Sequence, residues 1–137
     1  MKKIDDFSPG QIESFEDILS EETIRAFAEL SGDTNPLHSD AAFAVTHGFE
    51  GPVAYGMISA LLFSKLVGIL MPGPGALYLS QSFLFHRPLY RGMKLKVSAK
   101  VLHVAQKLNT LKLETSIADS ATNMTLVTGE AVVKLLS

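Results

Sequence analysis

At 137 residues, with a formal net charge of -2 and 47% hydrophobic residues, the chain suits one globular domain that buries a core without metal or disulfide staples. That charge offers no basic stripe for nucleic acid and too little acidity for disorder. Cysteine is absent, which excludes disulfides, thiolate catalysis and cysteine-type zinc sites.

The opening stretch Met1-Lys2-Lys3-Ile4-Asp5-Asp6 is basic and then acidic, with no apolar run behind it. A secretory signal is not expected, and the cytoplasm is the default compartment. Gln11 to Leu19 reads as an opening strand. Ser20 then reads as a helix N-cap, with Glu21 and Glu22 suited to the positive end of the helix dipole. Ile24, Phe27, Ala28 and Leu30 keep helical spacing to about Ser31, where Gly32 can end the helix. Pro36 and its polar neighbours mark an ordered turn over Gly32 to Asp40. Ser39 or Asp40 can cap a second, short helix running to about Val45. Gly48, Gly51 and Pro52 make a further loop.

The apolar run Gly56 to Met71 contains Ser59, Ser64 and Lys65 and stops at Pro72-Gly73-Pro74-Gly75. It reads as a core helix, since it only reaches the lower length limit of a membrane span. The glycine-rich stop lacks the lysine and Ser/Thr of a phosphate loop. Beyond it the period changes to two. Ala76 to Phe85, Met93 to Val104, Leu111 to Ala118 and Leu126 to Leu136 read as strands. Their turns fall at Tyr90 to Gly92, Gln106 to Asn109 and Asp119 to Asn123. In Met93 to Val104, Leu95, Val97, Ala99 and Val101 share one face, and the lysines the solvated other. Helices followed by an antiparallel meander make an α+β layout. The simplest packing is a curved sheet wrapping the long central helix. Without repeats or linkers, residues 1–137 read as a single domain.

The chemistry-bearing stretch is Gly32-Asp33-Thr34-Asn35-Pro36-Leu37-His38-Ser39-Asp40. It resembles the hydratase 2 motif, Gly-Asp-x-Asn-Pro-x-His-x-Asp, of the MaoC-like and R-hydratase branch of the hot-dog superfamily. The likeness extends over Gly51-Pro52-Val53-Ala54-Tyr55-Gly56-Met57, Phe85-His86-Arg87-Pro88 and Thr128-Gly129-Glu130-Ala131-Val132-Val133, covering Ser20 to Leu136. It is nearest to the short single-domain (R)-specific enoyl-CoA hydratases that feed polyhydroxyalkanoate synthesis. Two departures stand out. Tyr55 occupies a place where many relatives carry His, and Gly92-Met93 replaces a Gly-Asp.

The resemblance implies a hot-dog fold and reversible syn hydration of a trans-2-enoyl-CoA to an (R)-3-hydroxyacyl-CoA, by a homodimer or higher homo-oligomer. Neither metal nor redox cofactor is expected, nor a nucleic-acid or membrane partner. Asp33 and His38 would hold and activate one water, with Asp33 the stronger base candidate. An imidazole exchanges protons near neutral pH, and a proline-stiffened turn suits a pair whose positional error is costly. Asn35 would tie the loop. Gly56, at a helix N-terminus, would offer its N–H to the thioester oxygen. Ser64, about 2.2 turns on, would support the site from the same helix face, or bond back to its own turn. Ser59 has only the second reading. Val67 and Val132 match acyl-pocket positions of the family, or are plain core.

His47, His86 and His103 lack metal-ligand spacing and read as structural or exposed. Arg87 is a candidate for the CoA phosphates. Three alternatives keep the fold: an acyl-carrier-protein dehydratase, an acyl-CoA thioesterase, and a non-catalytic acyl-CoA binder.

Overall fold

A computed structural model describes residues 1–136. In chain order it contains β1 (Ile12–Ile18), α1 (Glu21–Ser31), α2 (Ala41–Thr46), α3 (Ile58–Lys65), β2 (Ala76–Gln81), β3 (Leu84–Phe85), β4 (Lys94–Ala105), β5 (Thr110–Asp119) and β6 (Thr125–Leu135). The strands form one antiparallel sheet in the order β1-β4-β5-β6-β2, and β3 also pairs with β6. Strict alternation dictates its inner face. Leu95, Val97, Ala99 and Val101 of β4 are buried beside Leu111, Leu113, Thr115 and Ile117 of β5 and Val127, Ala131, Val133 and Leu135 of β6. The lysines of β4 point outward, as period two requires.

The stretch expected as one strand from Ala76 to Phe85 is broken into β2 and β3. The cause lies across the sheet, at Gly129. A Cβ there would stand 1.9 Å from the Ser82 carbonyl oxygen. Ser82 therefore presses directly against the glycine backbone. Its N–H donates to the Glu130 carbonyl at 2.9 Å, and its hydroxyl accepts the Glu130 N–H at 2.9 Å. The chain bends at that point, as it does where strands meet glycine at close approach.

Helix caps follow the sequence. Ser20 Oγ accepts the Thr23 N–H at 3.2 Å, and Gly32 ends α1 in the left-handed region at φ 70°. Asp40, not Ser39, caps α2 through the Phe43 N–H. Arg91 pairs with Glu21 and, by that hydrogen bond, holds the Glu21 carboxyl below its ordinary range. The pair ties the start of α1 to the turn before β4.

The long helix differs from expectation at both ends. Its α-helical part begins at Ile58, two residues after Gly56, and Leu66–Leu70 continue it as π-helix. Ile58, Phe63, Leu66 and Val67 are buried within the core, while Leu61 and Ile69 are exposed. Burying a side chain such as Phe63 contributes about 2–3 kcal/mol. The sheet covers only one side of the helix. No helix is long and apolar enough to cross a membrane among the described residues.

Candidate active site

The loop after α1 is built by short side chains that each cap a backbone N–H two residues on. Ser31 Oγ accepts from Asp33 N–H at 3.1 Å, Asp33 Oδ1 from Asn35 N–H at 3.0 Å, and Asn35 Oδ1 from Leu37 N–H at 3.1 Å. Such Asx-type turns fix a loop without a helix or strand to lean on. Pro36–His38 then form a single 3-10 turn. Asn35 therefore serves the loop, as expected. One oxygen of Asp33 is spent on the turn, and the other, Oδ2, faces His38 Nε2 at 3.8 Å.

The imidazole is held from behind. His38 Nδ1 lies 2.6 Å from the Val53 carbonyl oxygen. A carbonyl only accepts, so Nδ1 carries the proton. In the neutral ring Nε2 is then a lone-pair acceptor turned toward Asp33. The separation of 3.8 Å is too long for a direct hydrogen bond and suits a bridging water. The His38 side chain is 11% exposed and that of Asp33 43%, so the imidazole is enclosed while the carboxylate stands at an opening.

That opening is a cavity of about 400 Å³ lined by Phe27, Ser31, Asp33, His38, Tyr55, Gly56, Met57 and Phe85. Gly56 contributes backbone. The Tyr55 carbonyl accepts the Ile58 N–H at 3.0 Å, and the Gly56 carbonyl the Ser59 N–H at 3.0 Å. Because the peptide unit is planar and trans, the Gly56 N–H points opposite to the Tyr55 carbonyl, out of the helix. It has no acceptor among the described residues. A Cβ on residue 56 would lie 3.2 Å from the Phe85 ring, so glycine also gives that ring its seat.

Two contributions were not visible in the sequence. Tyr55, a departure that the resemblance sets near the substrate carbonyl, is 5% exposed and packs its ring, tilted, against His38 at 4.2 Å between centroids. Its hydroxyl donates to the Asp33 carbonyl at 3.1 Å. Phe63, Phe83 and Phe85 form a ladder of stacked rings at 5.8 and 5.9 Å. The second departure, Met93, packs against the core away from this cavity.

Ser64 does not join the pair. It lines a separate cavity of about 350 Å³ between α3 and β2, with Ala60, Phe63, Tyr78, Leu79, Ser80, Gln81 and Phe83. Eight residues keep a helix face but advance about 12 Å along the axis. Val67 is fully buried in the core. Val132 lies on the face of β6 opposite Ala131 and Val133, paired with Ser80. Neither valine lines the Asp33 cavity. Ser59 departs from expectation: its hydroxyl is buried with no hydrogen-bond partner, so it does not bond back to its turn.

His47 binds the Phe43 carbonyl of its own helix, His86 binds Thr128, and His103 is exposed on β4. Among the described residues, no three His, Cys, Asp or Glu side chains converge as a metal site would require. Arg87 lines a groove that reaches His38 and Gly56 from the other side.

An antiparallel sheet packed on one central helix is the hot-dog architecture, and the loop after α1 sets Asp33 and His38 beside the start of that helix. Residues 8–123 match the MaoC like domain, and the chain belongs to that family. It is 44% identical over 112 residues to the (R)-specific enoyl-CoA hydratase of Aeromonas caviae, covering 82% of this chain and 83% of that one. The solved (R)-hydratase of A. caviae, described as involved in PHA biosynthesis, superposes with a TM-score of 0.87 at 40% identity, covering 94% and 97% of the two chains. The R-hydratase PhaJ1 of Pseudomonas aeruginosa gives 0.88 at 34% identity, covering 97% and 84%.

Proposed function

We propose that the chain is a cytoplasmic (R)-specific enoyl-CoA hydratase, a hydro-lyase that adds water reversibly across the C2–C3 double bond of a trans-2-enoyl-CoA. The observation that carries this reading is the pairing of Asp33 Oδ2 with His38 Nε2 at 3.8 Å, both acceptors, beside an N–H of Gly56 that has no acceptor among the described residues. Two acceptors orient one water by both of its hydrogens and leave an oxygen lone pair to attack C3. One O–H bond breaks as the O–C3 bond forms. The freed proton passes through the Asp33–His38 pair to C2, which uses the electron pair of the former double bond to form its new C–H bond. Negative charge develops meanwhile on the thioester oxygen, and the Gly56 N–H at the mouth of α3 is placed to receive it. Donors of this kind are worth on the order of 100- to 1,000-fold in rate. Water and proton come from one side of the double bond, which makes the addition syn. The reaction balances with water alone, and no metal or redox cofactor takes part.

The acyl chain is assigned to the cavity beside Ser64, which Phe63 and Phe83 of the ring ladder line, with Val67 in the adjoining core and Val132 paired with its wall residue Ser80 as pocket positions. Arg87 meets the CoA phosphates at the rim. A cytoplasmic setting is compatible with the substrate, a polyanion that does not cross a bilayer. The working unit is a homodimer joined at β2. That edge carries exposed Leu77 and Leu79 and no charged residue from Ala76 to Gln81, whereas the β1 edge carries Glu13, Glu16 and Asp17. Charged edges resist pairing and uncharged ones invite it. Sedimentation velocity of the purified chain checks this, with a dimer expected.

The reaction itself is tested with crotonyl-CoA, following loss of the conjugated thioester absorbance and the configuration of the product. Formation of (R)-3-hydroxybutyryl-CoA without release of free CoA is the expected result. Free CoA in place of hydrated product would make the protein a thioesterase, and binding without turnover a non-catalytic acyl-CoA binder. Preference for the carrier-protein thioester would move the same chemistry to another carrier.

A further inference from the structure

We infer that Tyr55 is a positioning residue that sets the distance between the water-holding pair and the Gly56 N–H. The inference rests on the hydratase reading and goes beyond it, because Tyr55 touches no reacting atom in that chemistry. Three constraints meet in this one residue. Its phenol hydroxyl donates to the main-chain carbonyl of Asp33 at 3.1 Å. Its ring packs at a tilt against the His38 imidazole, at 4.2 Å and 34°, and against Phe27 of α1, at 5.0 Å and 39°. Its own carbonyl, tied to Ile58 N–H at 3.0 Å, fixes the plane of the peptide that carries the Gly56 N–H.

These constraints join separate parts of the chain. Asp33 hangs on the loop after α1, and Gly56 opens α3. Asp33's outward oxygen and Gly56's N–H must act on the same substrate, at C3 and at the thioester oxygen. The loop caps hold Asp33 to its own neighbours, and the Val53 carbonyl orients His38. The Tyr55 hydroxyl is the bond that ties the Asp33 main chain to the segment entering α3. A main-chain carbonyl as acceptor also leaves Asp33 Oδ1 to the Asn35 N–H and Oδ2 to face His38. A residue of this kind acts on rate more than on affinity, since a small displacement of reacting groups lowers the fraction of productive encounters.

The test is Tyr55→Phe, which removes the hydroxyl and keeps the ring. We expect kcat for crotonyl-CoA to fall about tenfold, KM to stay within twofold, and the melting temperature to move by less than about 3 °C, as for one modest hydrogen bond. The His38 ring resonances in the free protein provide a second readout that needs no turnover, and they are expected to shift. An inert wild-type protein would count against the hydratase reading, while the His38 resonances would still decide for or against Tyr55. Wild-type kcat together with unmoved His38 resonances overturns the inference. So does a rate loss that appears only as raised KM, or that follows a large fall in melting temperature, since each describes a purely structural tyrosine.

Discussion

The two cavities along α3 are built on opposite rules. Beside Asp33, hydrogen-bonding capacity is held back: a carboxylate oxygen and an imidazole nitrogen stand 3.8 Å apart, and a backbone N–H finds no acceptor among the described residues. Beside Ser64, the inner polar groups are tied to one another. The Tyr78 hydroxyl proton is shared between Gln81 Oε1 at 2.9 Å and the Phe63 carbonyl at 3.3 Å. Gln81 Nε2 donates to buried Thr115 at 2.8 Å and to the Ser82 carbonyl at 2.9 Å. A satisfied network is inert and rigid, which suits a receptacle for a hydrocarbon chain. The proposed chemistry is assigned to the unsatisfied groups at the first cavity.

Variants sharpen the contrast. The largest effect is expected from Asp33→Asn, which keeps shape and removes charge. It should lower kcat at least about 1,000-fold, roughly 4 kcal/mol of barrier, with the melting temperature little changed; steady-state kinetics and calorimetry check both. His38→Gln should follow with a loss of about 100-fold or more, in the range of general acid–base contributions.

The second cavity should respond in stability instead. Gly129→Ala drives a methyl into the Ser82 carbonyl and to within 2.9 Å of Gln81 Nε2. A destabilisation of about 3 kcal/mol or more is expected from such strain, read by urea unfolding. Tyr78→Phe strips Gln81 Oε1 of its donor and should cost about 1–3 kcal/mol, with kcat for crotonyl-CoA within about threefold of wild type.

The smallest effect is in pH. Burial pushes the Tyr78 hydroxyl up to about 12 from its ordinary 10. Between those values the native state holds a proton that the unfolded chain has lost, so stability falls as pH rises through that window. Tyr78→Phe should flatten this slope, as measured by denaturation at a series of alkaline pH values. An unchanged slope would remove Tyr78 as its source.

What the sequence displayed was local. Ser20, Gly32 and Asp40 act on residues within four positions, so their capping roles could be read directly. The alternation of β4 to β6 is equally local and places the core. The Asp33–His38 pairing was legible through the likeness of Gly32 to Asp40 to a known motif, all of it within one turn. The bend at Ser82 was hidden, since its cause sits on β6. The π-helical stretch was hidden because Leu66–Leu70 is apolar all round except for Gly68, and a run without polar residues carries no phase. Tyr55 was hidden because its hydroxyl bonds a main-chain carbonyl, which leaves no mark on residue type. Ser64 shows the limit of face arguments: angular agreement along a helix says nothing of how far apart two side chains lie.

The kink between β2 and β3 has an effect well beyond the sheet. Because residue 129 has no side chain, the passing strand can press its Ser82 backbone against β6, and beyond that point Phe85 lies over Gly56. The seat of the Phe85 ring on the wall of the Asp33 cavity thus depends on an atom that β6 lacks. Any methyl added there would be felt first in folding, and then, in molecules that still fold, as a shift of that aromatic ring.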